Sequence, residues 1–325
     1  MIPLGIKAFV DFAFKKIFGS PENSAALIGL LNAILGLKHP ITEVTILNPF
    51  SFQEFQTDKL FVLDVKARDA LGRLFNVEMQ VSNHPALLPR MVYYVSETYT
   101  DQLAKGDDYT KLNTTISICL LMGDLFPDSE QPHHRFQMMD EKSGRKLDRA
   151  IEVHTLELGK FRFDETTILT ANRLAQWCWL ISNAQNYSAE DLRLMFPALE
   201  FQSAIGCLET ISSKTEDKKM HDQREKAQRD YDWMLSTARQ QGLEQGLEQG
   251  LEQGLEQGLE QGLERGMERG REEGIERGTI LGAIQALQQI LSEPMADTQE
   301  LSGQSIVGLK TMLAELQERV RSRLS

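Results

Sequence analysis

Apolar residues recur at helical spacing from Lys7 to Phe18, and Gly19 closes that segment. Ser20-Pro21-Glu22 then supplies an N-cap serine, a proline at the first helical position and an early acid, ahead of an apolar helix that stops at Gly36. The period then changes from helical to alternating. Glu43–Leu47 predicts one strand, and Leu60–Arg68 with Arg73–Val81 predicts a strand pair around Asp69-Ala70-Leu71-Gly72. A helix is expected over Pro89–Lys105, with Gly106-Asp107-Asp108 as its exit, and a buried strand over Thr114–Met122. Strands near Phe136–Met139 and Ile151–Leu158 flank a turn at Lys142-Ser143-Gly144. From Asp164 the pattern is helical, with Trp177 and Trp179 read as core residues and Lys214–Arg229 as a solvated helix or linker.

The strand pair carries the chemistry. Alternation places Phe61, Leu63, Val65 and Ala67 on one face, and Asp64 and Lys66 on the other. In the next strand Phe75, Val77 and Met79 share a face, leaving Asn76, Glu78 and Gln80 opposite. Cross-strand partners point the same way, so the register must keep these sets together. A three-residue loop, Ala70-Leu71-Gly72, does so with glycine at the left-handed position. Val65 then meets Val77, Leu63 meets Met79, and Asp64 faces Glu78. Like charges opposite one another repel. A shared proton, a nearby cation or a divalent metal would offset this, and carboxylate pairs are what Mg²⁺ takes as partial ligands beside phosphate and water. An exposed sheet face with both carboxylates solvated is the other reading of the pattern.

Asp64 followed by Glu78-Met79-Gln80 on the next strand resembles the Asp…Glu-x-Lys core of the PD-(D/E)XK nuclease superfamily. Further stretches narrow the resemblance to the Rpn family of recombination-promoting nucleases and transposase-like proteins. They are Asp11–Gly19, Asp58-Lys59, Leu63-Asp64-Val65, Asn76–Gln80, Arg90 with Tyr93-Tyr94, Gly106–Tyr109 and Leu156–Phe161, and they cover roughly residues 5–185. The resemblance implies a restriction-endonuclease-like α/β core, a mixed sheet flanked by helices, that hydrolyses DNA with Mg²⁺ or another divalent cation such as Mn²⁺ or Ca²⁺. It implies Asp64 and Glu78 as metal ligands and places Gln80 where the superfamily usually has lysine. Glutamine carries no charge and cannot act as a charged acid or base; Lys66 or Lys59 would supply the positive charge. Asp11 corresponds to an acid on the family's first helix that could hold the metal's outer waters, with Lys15 one turn along toward phosphate. Asp11 and Lys15 equally form an ordinary i,i+4 surface pair. Arg90 and Tyr94, one turn apart, are candidate contacts to the DNA backbone, with packing of the tyrosine as the competing reading. His133-His134 is read as a loop pair without a metal-ligand partner.

Charge leaves this open. The net charge is −12, but ten glutamates and four arginines between Gln241 and Gly278 account for −6 of it. Residues 1–120 hold eleven Lys/Arg against twelve Asp/Glu, with no basic surplus of the kind a sequence-specific DNA reader shows. A nuclease can instead reach phosphate through its metal and a few lysines. Three widely spaced cysteines suit a reducing compartment. No apolar run approaches the roughly 20 residues of a membrane span, and Met1–Gly19 does not read as a signal peptide. A cytoplasmic protein without a membrane partner is expected.

Ten glycines fall every fourth residue from Gly242 to Gly278, most followed by leucine. Four residues advance about 40° beyond a full helical turn, so both stripes wind around the axis. The repeat is either a self-association arm or a tolerated tandem duplication. Beyond it, Ile280, Ile284, Leu287 and Leu291 form one apolar stripe, and Leu309, Met312, Leu313, Leu316 and Val320 another. Such stripes need cover, from a helical hairpin or a homo-oligomeric (dimer) contact. The expected organisation is a nuclease-like domain over 1–163, a helical region over 164–240, the repeat over 241–278 and a helical hairpin over 279–325. The leading function is a DNA endonuclease connected with recombination or transposition. The alternative is a nuclease-fold protein of little activity that assembles through its tail.

Overall fold

The computed structural model describes residues 2–51, 65–82, 86–147, 150–295, 297, 301 and 303–324. Met1–Met234 and Leu235–Ser325 are separate units.

In the first unit, helix α1 (Asp11–Phe18) starts on an acid, which suits the positive end of its dipole, and carries Lys15 and Lys16 in its last turn. Helix α2 (Ser24–Leu35) ends where Gly36 takes the left-handed conformation at φ 55°. Strands β1 (Val44–Ile46), β2 (Val65–Asp69) and β3 (Leu74–Gln80) pair antiparallel in that order. Val65 faces Val77 and Lys66 faces Asn76, the expected register. Gly72 turns the hairpin at φ 81°, with its N–H donating to Asp69 O. The predicted continuation, with Asp64 facing Glu78 and Leu63 facing Met79, lies outside the described residues. Helix α3 (Leu87–Thr100) leads to β4 (Thr115–Leu121), which lies parallel to β3. Strand β6 (Ile151–Glu157) is parallel to β4, and β5 (His133–Gln137) closes the edge antiparallel to β6. The sheet order is β1-β2-β3-β4-β6-β5.

One sheet face presents Phe75, Val77, Met79, Ile116, Ile118, Leu120 and Leu156 to a core shared with α1, α2, α4 (Arg173–Asn183) and α6 (Leu199–Ser213). Between α4 and α6 lies the short α5 (Ala189–Met195). Trp177 sits in this core against Phe18 and Phe201, as expected, and buried Trp179 donates its indole N–H to Phe163 O. Each fully buried large apolar side chain contributes about 1.5–3 kcal/mol. On the opposite face Leu87 and Met91 of α3 pack on Cys119 and Leu121, beside Glu78.

His133-His134 is not a loop pair. Both residues are on β5, and His133 Nε2 lies 2.9 Å from Nδ1 of His154. The strand opens with the polar run His133-His134-Arg135, so apolar character marks only its end at Phe136, where the sequence predicts a strand near Phe136–Met139. His154 continues to Glu152, which also receives Arg135 and Gln137. The Glu157–Lys160 stretch acts as a pin. Glu157 accepts the Leu125 and Phe126 N–H groups, and Lys160 Nζ reaches Phe126 O, Ser129 O, Asp124 and Glu157.

Lys214–Arg229 is neither linker nor fully solvated. It belongs to the opening of α7 (Thr215–Leu291), where Asp217, Met220 and His221 are buried. In the second unit, the α7 residues Ile280, Ile284 and Leu291 pack with Leu309 and Leu316 of α8 (Ile306–Leu324), and Lys310 pairs with Glu276 at 2.6 Å. None of the described helices is long and apolar enough to cross a membrane.

Candidate functional site

Glu78 projects from β3 into the layer under α3 and is only 4% exposed. A carboxylate removed from water needs compensation by charge and hydrogen bonds. Arg90, in the first turn of α3, brings Nη2 to 2.5 Å from Glu78 Oε1. Gln80, two residues along β3 and on the same side, donates Nε2–H to the same oxygen. Glu78, Gln80 and Arg90 thus converge. Asp64 and Lys59 lie outside the described residues. Val65, the residue after Asp64, pairs with Val77, the residue before Glu78.

The remaining candidates divide. Lys66 is exposed, opposite Asn76, with its backbone held by Asn48 Oδ1 and Leu47 N–H. Tyr94 is 38% exposed on α3, one turn beyond Arg90. Asp11 accepts the Phe12 N–H at 2.6 Å and lies 3.7 Å from Nη1 of Arg224. Burial raises its carboxyl pKa, against the lowering influence of Arg224. Lys15 is 7% exposed, so the surface-pair reading of Asp11 and Lys15 does not hold.

Arg224 was not legible from the sequence, being 213 positions from Asp11. Nor were the other contacts of the first turns of α7. Asp217 pairs with Lys16 at 2.6 Å, Glu225 with Lys7 at 2.9 Å, and Asp232 and Gln228 both bond Ser82 just past β3. This part of α7 therefore ties α1 to the exit of β3. Its only sequence signal is a dense run of charge.

His221, Asp222 and Glu225 bring potential ligand atoms within 4.8 Å of one another. Each is already engaged. His221 Nε2 lies 3.2 Å from Lys7 N, its Nδ1 lies 3.2 Å from Asp222, and Glu225 holds the Lys7 ammonium. Glu78 is likewise engaged, by Arg90 and Gln80, and as a buried carboxylate beside the pairing of β2 with β3 it is a second candidate ligand for a hard divalent cation.

The family model of the PD-(D/E)XK nuclease family transposases matches residues 8–238. No curated protein and no solved structure is significantly similar to the chain. The matched span includes the sheet, α3 and the opening of α7, and the chain belongs to this family.

Proposed function

We propose that this PD-(D/E)XK nuclease family transposase is a DNA endonuclease of the Rpn type, with a divalent cation held by Asp64 and Glu78. The observation that carries the reading is the buried Glu78 carboxylate, with Arg90 and Gln80 converging on one of its oxygens. Bound Mg²⁺, or Mn²⁺ in its place, lowers the pKa of a coordinated water and offsets charge developing on phosphate.

The residues around the site then have defined tasks. Gln80 orients Glu78 by a hydrogen bond without adding charge. Lys66, exposed on β2, supplies positive charge toward the DNA together with Lys59. Tyr94 offers a partly exposed side chain on the same helix as Arg90. Asp11 orders outer waters, with Lys15 fixing the helix that carries it. The protein works in the cytoplasm, in recombination or transposition.

Plasmid cleavage with Mg²⁺, Mn²⁺, Ca²⁺ or EDTA tests this. Nicking or linearisation is expected with at least one of the cations and not with EDTA. No cleavage with any cation, or full cleavage in EDTA, contradicts the reading.

One observation favours a second reading, assembly through the tail with weak or no cleavage. Leu243, Leu247, Leu251, Leu255, Leu259 and Leu263 are each at least 60% exposed along α7. Size measurements with and without residues 240–325 test it: loss of a dimer on truncation supports assembly, and an unchanged size opposes it.

A further inference from the structure

Arg90 stands in the first turn of α3, where no acidic residue accompanies it and the helix dipole disfavours a cation. Its Nη2 is spent on Glu78, while its buried Nε has no hydrogen-bond partner among the described residues. The side chain as a whole is 38% exposed although its Nε is buried. A guanidinium offers a planar fork that fits phosphate oxygens, and an N-terminal helix turn favours anions. The same Glu78 oxygen cannot serve Arg90 and a divalent cation equally well, because the two positive charges repel each other across it.

We propose that Arg90 is an exchangeable counter-ion, holding Glu78 while no divalent cation is bound and turning to a DNA phosphate oxygen when one arrives. The inference rests on Glu78 being a metal ligand. The exchange replaces a single positive charge on Glu78 by a double one and frees an arginine fork beside it. Cation and DNA binding are then coupled, since each favours the same position of Arg90.

Calorimetric titration of the full chain with Mn²⁺, comparing wild type, Arg90→Met and Glu78→Gln, tests the exchange. Arg90→Met should bind Mn²⁺ about tenfold more tightly, since it has no internal competitor, a change of about 1.4 kcal/mol. With Ca²⁺ present it should bind a short DNA duplex about tenfold more weakly than wild type. Its salt dependence should be shallower by roughly one phosphate contact. Unchanged or weaker Mn²⁺ binding in Arg90→Met, alongside loss of binding in Glu78→Gln, overturns the exchange and leaves the metal reading standing. Wild-type binding in Glu78→Gln overturns both. Should Arg90→Met not fold, phenylglyoxal labelling of the wild type with peptide mass spectrometry serves instead. Arg90 should react faster with Mn²⁺ than without, and an equal rate overturns the exchange.

Discussion

Replacing Gly246, Gly250, Gly254 and Gly258 together by alanine asks whether the repeat of α7 stands free or is gripped by a second chain. None of these glycines has positive φ, and a Cβ added at any of them meets no atom within 4 Å apart from its chain neighbours and the helix's own adjacent backbone. Within a free helix each substitution therefore gains the full propensity difference of about 0.8–1 kcal/mol, or about 3–4 kcal/mol for the four. Hydrogen exchange of the full-length protein reads this directly. For openings that span all four positions, about 1.4 kcal/mol per decade slows the repeat amides by about two to three orders of magnitude. If a partner helix instead packs in the glycine groove, four new methyl groups collide with it. Protection in the repeat then falls and any dimer weakens. Unchanged or diminished protection in the variant would refute the free-helix reasoning.

Other consequences follow from the first unit. Trp177→Ala, removing a 1% exposed indole packed between Phe18 and Phe201, should cost about 3–5 kcal/mol in urea unfolding. Gln80→Lys restores a charged side chain beside Glu78 and should raise the single-turnover cleavage rate, by about tenfold or more if it assists the attacking water. Acidification should lower the melting temperature in two overlapping windows. Burial, with the charges of His154, His134 and Arg135, pushes the His133 pKa from 6.5 down to about 4. The unfolded chain thus binds that proton first, and stability is lost as pH falls from about 6.5 to about 4. Burial works to raise the Glu152 pKa, but His154, Arg135 and Gln137 hold it near 2, below its usual 4.5. Its contribution is present above 4.5 and lost as pH falls toward 2. In His133→Asn the first window should shrink; an identical pH profile would show that His133 does not carry it.

What could be read from the chain was local. The β2–β3 hairpin followed from alternation plus a glycine able to take φ 81°, because a loop one residue longer or shorter would have set Val65 against a residue of the opposite face. Gly36 marked the end of α2 for the same conformational reason. Long-range pairings were not legible. Arg224 reaching Asp11, and Asp217 reaching Lys16, depend on where α7 crosses the unit, and a solvated charged helix would have the same composition. The sequence places strand β5 late, near Phe136–Met139 instead of His133–Gln137, because its opening residues His133, His134 and Arg135 are polar and carry no apolar alternation. At the site, Glu78 and Gln80 were read as neighbours on one face, and they are. That Arg90 would turn inward to Glu78, rather than outward, depends on how α3 packs over β3 and β4.

Single-turnover cleavage of an end-labelled duplex in Mg²⁺ or Mn²⁺, by wild type, Asp64→Ala, Glu78→Ala and the double variant, tests the central claim most directly. Two ligands of one cation act as a unit, so each single substitution should cost nearly as much as both together. Wild-type cleavage by either single variant would contradict the account, as would losses that simply multiply in the double variant.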